Sequence, residues 1–482
     1  MNVSFFAQLE SIVGAPHLIR DAADMLTYEC DALPHVRATP LAVVLPGSAA
    51  EVQAIVRLCA RERVPFVARG HGTGLSGGAT PVEHGIVVAL SRLNRVLDVD
   101  LANRQVTVEP CVTNLEITRR VAPHGFYYAP DPSSQQACSI GGNVAENSGG
   151  AHCLKYGFTV HHVLAVDVVL PTGELVTIGG EAVDRPGPDL LGLIVGSEGT
   201  LGVVTKIVVR ILRKPESVRT LLAAFDSIDA AGQAVSDIIA AGIVPAAVEM
   251  MDRLAVRAAE AAVHPGFPAS EAVLIVELDG VRQEVDDLFA LVEATCRQRG
   301  ATEVRLARDD DERARIWKGR KAAFAAMGRV SPNYYVQDGV VPRMRLPDVL
   351  ARIKDLERRS GLAIGNVFHA GDGNLHPLIC YDARVPGQTE HAAEVAAEIL
   401  TYCLDAGGSI TGEHGVGADK RCSMLKMFGA DDLAVMAQVR RAFDPLEICN
   451  PEKVLPTPRL CGEVPGPYRA HPIERAGLGE RF

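Results

Sequence analysis

Val67-Ala68-Arg69-Gly70-His71-Gly72-Thr73-Gly74-Leu75-Ser76-Gly77-Gly78 decides the fold, because it places a glycine-dense loop directly after a β-branched run, Val64 to Ala68. Residues 72 to 77 satisfy G-x-G-x-x-G literally, the signature of a dinucleotide site in which a helix begins inside the motif. Here Gly77-Gly78-Ala79-Thr80-Pro81 follows. That run starts no helix, so NAD binding through this segment is rejected. The glycines still free the backbone to aim several N–H groups at one anion, and Arg69, Thr73 and Ser76 add charged and hydroxyl donors.

Two further clusters share this style. Pro130-Asp131-Pro132-Ser133 leads into Ser139-Ile140-Gly141-Gly142-Asn143 and Asn147-Ser148-Gly149-Gly150, and Gly196-Ser197-Glu198-Gly199-Thr200-Leu201-Gly202 precedes a strand. Each alone reads as a tight turn. Three in one region point to a ligand cradle.

Around these loops, residues from Pro40 to about Lys214 show short strands at Ala42 to Leu45, Ile86 to Leu90, Gln105 to Val108, Val163 to Leu170 and Val203 to Ile211. Ser48 caps an amphipathic helix carrying Val52, Ile55, Val56 and Cys59 at helical spacing, and Pro171-Thr172-Gly173 reads as a hairpin turn. Beyond Lys214-Pro215 strand and helix patterns alternate: strands at Arg219 to Phe225, Ala247 to Met250 and Val273 to Leu278, and helices at Asp229 to Ala241, Arg282 to Arg299 and Asp309 to Ala326. The pattern predicts an antiparallel sheet covered on one face by helices. A proline-rich tail from Pro456 reads as loosely attached.

At 482 residues the chain is long enough for two or three domains. A net charge of -11 with no dense basic run argues against a nucleic-acid surface. No apolar run reaches the roughly 18 residues of a membrane span, and Met1-Asn2-Val3-Ser4-Phe5-Phe6 lacks the basic start of a secretory signal. The 11 cysteines include no C-x-x-C pair, so neither a zinc ribbon nor an iron–sulfur cluster is written here, and they read as reduced cytosolic thiols.

Asn366-Val367-Phe368-His369-Ala370-Gly371-Asp372-Gly373-Asn374-Leu375-His376 reads as strand, turn, strand. With Gly371 to Asn374 as the turn, Ala370 pairs with Leu375 and His369 faces His376, so both imidazoles leave one face. Thr411-Gly412-Glu413-His414-Gly415 offers a carboxylate beside an imidazole. Two His and one carboxylate leave a metal with open positions, as catalytic sites do. Hydrogen-bonded core histidines are the alternative reading. A 2-hydroxyacid chelated by its hydroxyl and carboxylate would be acidified at the hydroxyl, and His414, adjoining Glu413, is the candidate base.

The 67–78 segment, the Gly141-Gly142-Asn143 and Gly149-Gly150 clusters, Gly196 to Gly202 and Asn450-Pro451-Glu452-Lys453 together resemble the type 4 FAD-binding oxidoreductase/transferase family of the vanillyl-alcohol oxidase superfamily. The resemblance runs over nearly the whole chain. It implies an α+β fold: a two-subdomain FAD-binding domain of the p-cresol methylhydroxylase type (1–214), an antiparallel-sheet, ferredoxin-like cap domain with the metal site (215–420), and a C-terminal helical segment returning to the FAD domain (421–482). It implies non-covalent FAD, held at the pyrophosphate by Arg69, Gly70, His71, Gly72, Thr73, Gly74, Ser76 and Gly77. Pro130, Asp131, Ser134, Ser139, Gly141, Gly142, Asn143, Asn147, Gly149, Gly150, Tyr156, Gly157, Glu198, Gly199, Ile207 and Asn450 complete the implied FAD set.

The same resemblance makes His369, His376 and Glu413 ligands of a divalent metal, zinc or manganese, and His414 the base. Ile316-Trp317-Lys318-Gly319-Arg320 matches the segment whose Arg clamps the substrate carboxylate, although on residue type alone Arg320 reads equally as a solvated helix charge. Tyr334-Tyr335-Val336-Gln337-Asp338 lacks the basic residue of relatives that act on longer dicarboxylates, which favours glycolate or D-lactate over D-2-hydroxyglutarate. A non-redox FAD enzyme resembling alkylglycerone-phosphate synthase is the other alternative. Reoxidation then needs an external acceptor, an iron–sulfur subunit or a quinone, cytochrome or oxygen, with the chain cytoplasmic or peripheral at the inner membrane face, alone or as a homodimer.

Overall fold

The computed structural model describes residues 3–180 and 187–457; most of the tail from Pro456 lies outside them. Its first sheet runs Leu18–Ile19, Ala42–Val44, Ile86–Ala89, Phe66–Arg69. The last three strands are parallel. Helix Ala49–Glu62 provides the crossover: Ser48 Oγ accepts from Glu51 N at 3.2 Å, and Val52, Ile55, Val56 and Cys59 are buried. Arg63, at φ 52°, ends it. Because the strands are parallel, the glycine loop after Arg69 emerges at their carboxyl ends, where sheets of this kind present ligands.

The second sheet is antiparallel, in the order Val96–Asp100, Gln105–Val108, Val203–Arg210, Val163–Val169, Leu175–Gly179. The expected hairpin joins its last two strands, with Gly173 N donating to Leu170 O at 2.7 Å. Where a turn was expected at Ser139 to Asn143, helix Ile140–Glu146 begins, its first turn capped by Ser139 Oγ.

The third sheet runs Glu303–Leu306, Ser217–Phe225, Ala272–Gly280, Ala247–Asp252, Ile364–His369, Asn374–Leu375, Gly339–Val340; Pro377–Tyr381 pairs with Ile364–His369 and Asn333–Val336. Helices Ile228–Ala240, Arg282–Gln298, Leu346–Ser360 and Gln388–Asp405 bury one face. The expectation of a single covered face needs correction, because Arg253–Val263 and Asp310–Ala326 pack on the other around Met251, Ile275 and Trp317. The strands record the reason: Ala247–Asp252 and Ile364–His369 are buried at every position, as strands covered on both sides must be. Each fully buried Leu, Ile or Phe in these layers contributes about 1.5–3 kcal/mol.

The chain then returns to the first sheet: Phe66 N donates to Ile448 O at 2.9 Å, and Asn450 N to Phe66 O at 2.8 Å. Among the described residues nine cysteines are free thiols. Among the described residues no helix is long and apolar enough to cross a membrane.

Candidate functional site

A cavity of about 410 Å³ lies between the glycine loops and the third sheet. One wall is polar backbone and hydroxyl: Arg69 to Gly74, Pro132 to Ser134, Ser139, Gly141, Gly142 and Ser197 to Gly199. The other carries Lys321, Phe324, Tyr334, Val336, His376, Glu413 and His414. A cavity lined both by anion-binding donors and by aromatic and titratable groups suits a dinucleotide whose diphosphate and reactive ring differ in chemistry.

Of the residues expected at FAD, several act from behind this wall. Asn450 Nδ2 donates to Gly78 O (2.9 Å) and Glu198 O (2.7 Å), stitching the C-terminal segment to two loops. Asn147 takes the left-handed conformation and its Oδ1 accepts from Val160 N. Pro130 O accepts from Asn114 Nδ2, which also donates to Asn143 Oδ1. Asp131 pairs with His152 and Lys321, and Tyr156 Oη donates to Asp279 at 2.6 Å. Ser76 and Gly77 are buried beneath the loop. Ile207 does not reach the cavity; it is fully buried in the second sheet's core. Gly149 permits a close approach, since a Cβ there would stand 2.8 Å from Glu413 Oε2.

The hairpin forms in a register different from the one expected. His369 pairs with Asn374 and Asn366 with Pro377, so Ala370 to Gly373 make the turn, one residue earlier. Gly373, at φ +80°, donates to His369 O. His376 therefore comes opposite Val367, whose N–H donates to His376 O. Val367 and His369 are two residues apart on one strand and share a face, so the imidazoles converge on a diagonal rather than head-on.

His369 Nε2 lies 3.2 Å and His376 Nε2 3.3 Å from Glu413 Oε1, with the rings perpendicular and 5.2 Å apart. One ligand atom from each fits within a 4.8 Å span. His376 is 1% exposed, yet neither ring nitrogen has a hydrogen-bond partner. A buried imidazole left this way costs free energy unless a cation takes the lone pair, so these donors fit a divalent metal. Burial disfavours a charged His369, but Glu249 and Glu413 outweigh it and raise the imidazole well above its usual value. A cation between Nε2 and Glu413 would replace that proton.

His414 stacks on His376, 4.8 Å between centroids and 5° from parallel. Burial, with help from His376 and Lys420, pushes His414 down to about 4 despite Asp338 and Glu413. Glu413 is held at about 2: burial opposes ionisation, but the imidazoles of His369, His376 and His414 prevail.

Sequence reasoning missed two carboxylates that build this centre. Glu249, 0% exposed, accepts from His369 Nδ1 at 2.7 Å, the arrangement that fixes the tautomer of a metal-ligating His. Asp338, also 0% exposed, takes the hydroxyl of Thr411 (2.6 Å) and the N–H groups of Gly412 (2.9 Å), Glu413 (3.3 Å) and His414 (3.0 Å), with Lys420 Nζ at 3.3 Å. A signal existed: an acid inside an uninterrupted apolar strand such as Ala247–Asp252 must be paired.

Arg320, expected to clamp substrate, is 2% exposed and ion-paired with Glu249, Nε to Oε2 2.6 Å, and its Nη2 has no hydrogen-bond partner. Its helix turns that position toward the sheet, where Glu249 waits, and leaves Lys321 and Phe324 toward the cavity.

Two family models match the chain: the FAD binding domain over residues 40–179 and the C-terminal domain of FAD linked oxidases over residues 214–454. The chain is 50% identical to glycolate oxidase subunit GlcD of Escherichia coli K12, over 96% of this chain and 93% of that one. It is 39% identical to GlcD of Bacillus subtilis (93% and 96%), and 31% identical to a D-lactate dehydrogenase of Anaerostipes hadrus (87% and 90%). Among solved structures, p-cresol methylhydroxylase with substrate bound aligns with a TM-score of 0.80 at 16% identity, covering 94% of this chain and 96% of that one. Alkyldihydroxyacetonephosphate synthase aligns at 0.73 and 20% identity (94% and 86%). These two share the fold.

Proposed function

The chain belongs to the FAD-linked oxidase family, and from that premise we propose that it is an FAD-dependent, metal-assisted dehydrogenase that oxidises glycolate or D-lactate to the 2-oxoacid. The observation that carries the reading is the convergence of His369, His376 and Glu413 beside His414, with His376, Glu413 and His414 lining the cavity. FAD supplies the hydride acceptor and a divalent metal on that triad supplies the Lewis acid.

His414 takes the substrate hydroxyl proton, for which a buried, neutral imidazole is suited. Its stacking on His376 keeps the accepting nitrogen beside the ligand set. Asp338 fixes the loop that carries both Glu413 and His414, so base and ligand cannot drift apart. Glu249 orients His369, and Arg320 balances the Glu249 charge. Phe324, Tyr334 and Val336 narrow the cavity and keep water from the reacting carbon. The cysteines supply no iron–sulfur cluster, so the electrons leave to an external acceptor, a partner subunit's iron–sulfur cluster or another carrier.

The relatives' names, glycolate oxidase subunit and D-lactate dehydrogenase, favour a small acid over D-2-hydroxyglutarate. Anaerobic addition of glycolate, D-lactate, L-lactate and D-2-hydroxyglutarate to the purified flavoprotein tests this. Bleaching of the flavin band by glycolate or D-lactate is expected, with loss after chelation and recovery with Zn²⁺ or Mn²⁺. No bleaching by any of the four, or bleaching indifferent to exhaustive chelation, overturns the reading or its metal.

A further inference from the structure

The loop that carries Glu413 and His414 is held from two sides. From the third sheet's side, Asp338 accepts the N–H groups of Gly412, Glu413 and His414. From the first region, Glu198 reaches across to the same loop: Val416 N donates to its Oε1 and Gly417 N to its Oε2, both at 2.6 Å. Beside it, Ser76 O accepts from Ala418 N (3.0 Å) and Asp419 N (3.1 Å). A Cβ on Gly417 would stand 2.1 Å from Ser76 O, so glycine is what lets this seam close.

Glu198 adopts an uncommon backbone conformation to make these bonds. Its φ is 52°, in the left-handed region that a residue with a side chain keeps only where its surroundings enforce it. Here Glu198 N donates to Ala145 O at 2.7 Å, and Glu198 O accepts from Asn450 Nδ2 at 2.7 Å. The residue is 5% exposed. It also belongs to the cavity wall, with Ser197 and Gly199 on either side, so a cofactor filling the cavity lends its contacts to the residue that grips the loop of Glu413.

We infer that Glu198 is a positioning residue that couples the cofactor pocket to the metal triad, so that FAD and the divalent ion each tighten the binding of the other. The inference rests on the proposed FAD and metal sites and adds a link between them. His369 and His376 come from the hairpin region of the third sheet, whereas Glu413 joins them only from the 411–417 loop. The two N–H bonds to Glu198 favour the docked position of that loop, and contacts from FAD favour the Glu198 conformation that accepts them. An ion on the triad favours the same docked loop, and the effect of each ligand on the other is equal by thermodynamic linkage.

The test follows FAD release from the full-length holoenzyme on dilution, read as the fluorescence of free FAD, with saturating Mn²⁺ and after exhaustive chelation. It is run at pH 8, above the value of about 7 to which burial lifts the Glu198 carboxyl. In the native protein the FAD Kd is expected to be roughly 5- to 150-fold lower with metal than without. Glu198→Ala, which removes both acceptors, brings that ratio to unity, and Glu198→Gln, which keeps one, gives an intermediate ratio. A residue that only shapes the pocket would weaken FAD equally with and without metal, so a native ratio retained in Glu198→Ala overturns the inference. A ratio of one in the native holoenzyme overturns it as well, whether or not the variants fold. A chelated native holoenzyme that takes up neither Mn²⁺ nor Zn²⁺ refutes the metal reading itself, and the inference falls with it.

Discussion

At His369 each ring nitrogen meets a carboxylate, Glu249 on Nδ1 and Glu413 on Nε2. The first fixes the tautomer and the second would share a metal bound there, so that Glu249 would work on affinity without touching the ion. Replacing Glu249 by Gln is expected to weaken metal binding roughly 10- to 100-fold, measured by titrating metal into the chelated protein; unaltered affinity would remove Glu249 from the centre. His414 makes a different demand. His414→Ala should lower kcat by roughly 10²- to 10⁴-fold with flavin and metal content retained, and turnover near the native rate would eliminate it as the base. Residue identity made His369, His376, Glu413 and His414 conspicuous in the sequence. It was silent on Glu249 and on its pairing with Arg320, because a helix position reveals its partner only once the opposing strand is known.

The hairpin carries its own lesson at the scale of an element. Two imidazoles on one face were expected and are found, but through a turn shifted by one residue, because Gly373 rather than Asn374 takes the left-handed conformation. A Cβ on Gly373 would also stand 2.1 Å from Val341 O. Gly373→Ala is therefore expected to cost about 1–3 kcal/mol from backbone strain, with the backbone clash in addition, and to lower metal content. Urea denaturation and metal analysis check this, and a native-like midpoint with full metal would show that the turn tolerates a side chain. The strands read from the sequence lie within a residue or two of those found, since β-branched runs bounded by glycine define them locally, but Val96–Asp100 and Glu303–Leu306 were not read. That both faces of the third sheet are covered was not, because near-continuous apolar runs fit either arrangement until the helices are placed.

Across the whole molecule, the first region meets the cap sheet through a part-buried charge network. His152 joins Asp131 (2.9 Å) to Glu277 (3.2 Å), and Glu277 also accepts from Arg313 and from Trp317 Nε1. Burial alone would lower the imidazole, but Asp131 and Glu277 outweigh it and lift His152 to about 10. A group raised on folding stabilises while it is charged. Its contribution is complete below its ordinary value near 6.5 and is lost as pH climbs through about 10. The native thermal midpoint should accordingly fall between pH 7 and 10 more steeply than that of His152→Gln, scanned by calorimetry; parallel curves would deny His152 this role.

The amino-acid order alone determined what depends on neighbours in the chain: the glycine loops, the strand and helix periods, the rejection of a helix after Gly77, and the set of metal-seeking side chains. Only tertiary structure decided which charges meet. Glu249 lies 120 residues from His369 and Asp338 76 residues from His414, and such pairings follow from how sheets and helices stack, which local pattern does not encode. For the same reason the sequence could offer Arg320 as the substrate's cation, while only the packing of one helix against one strand paired it with Glu249.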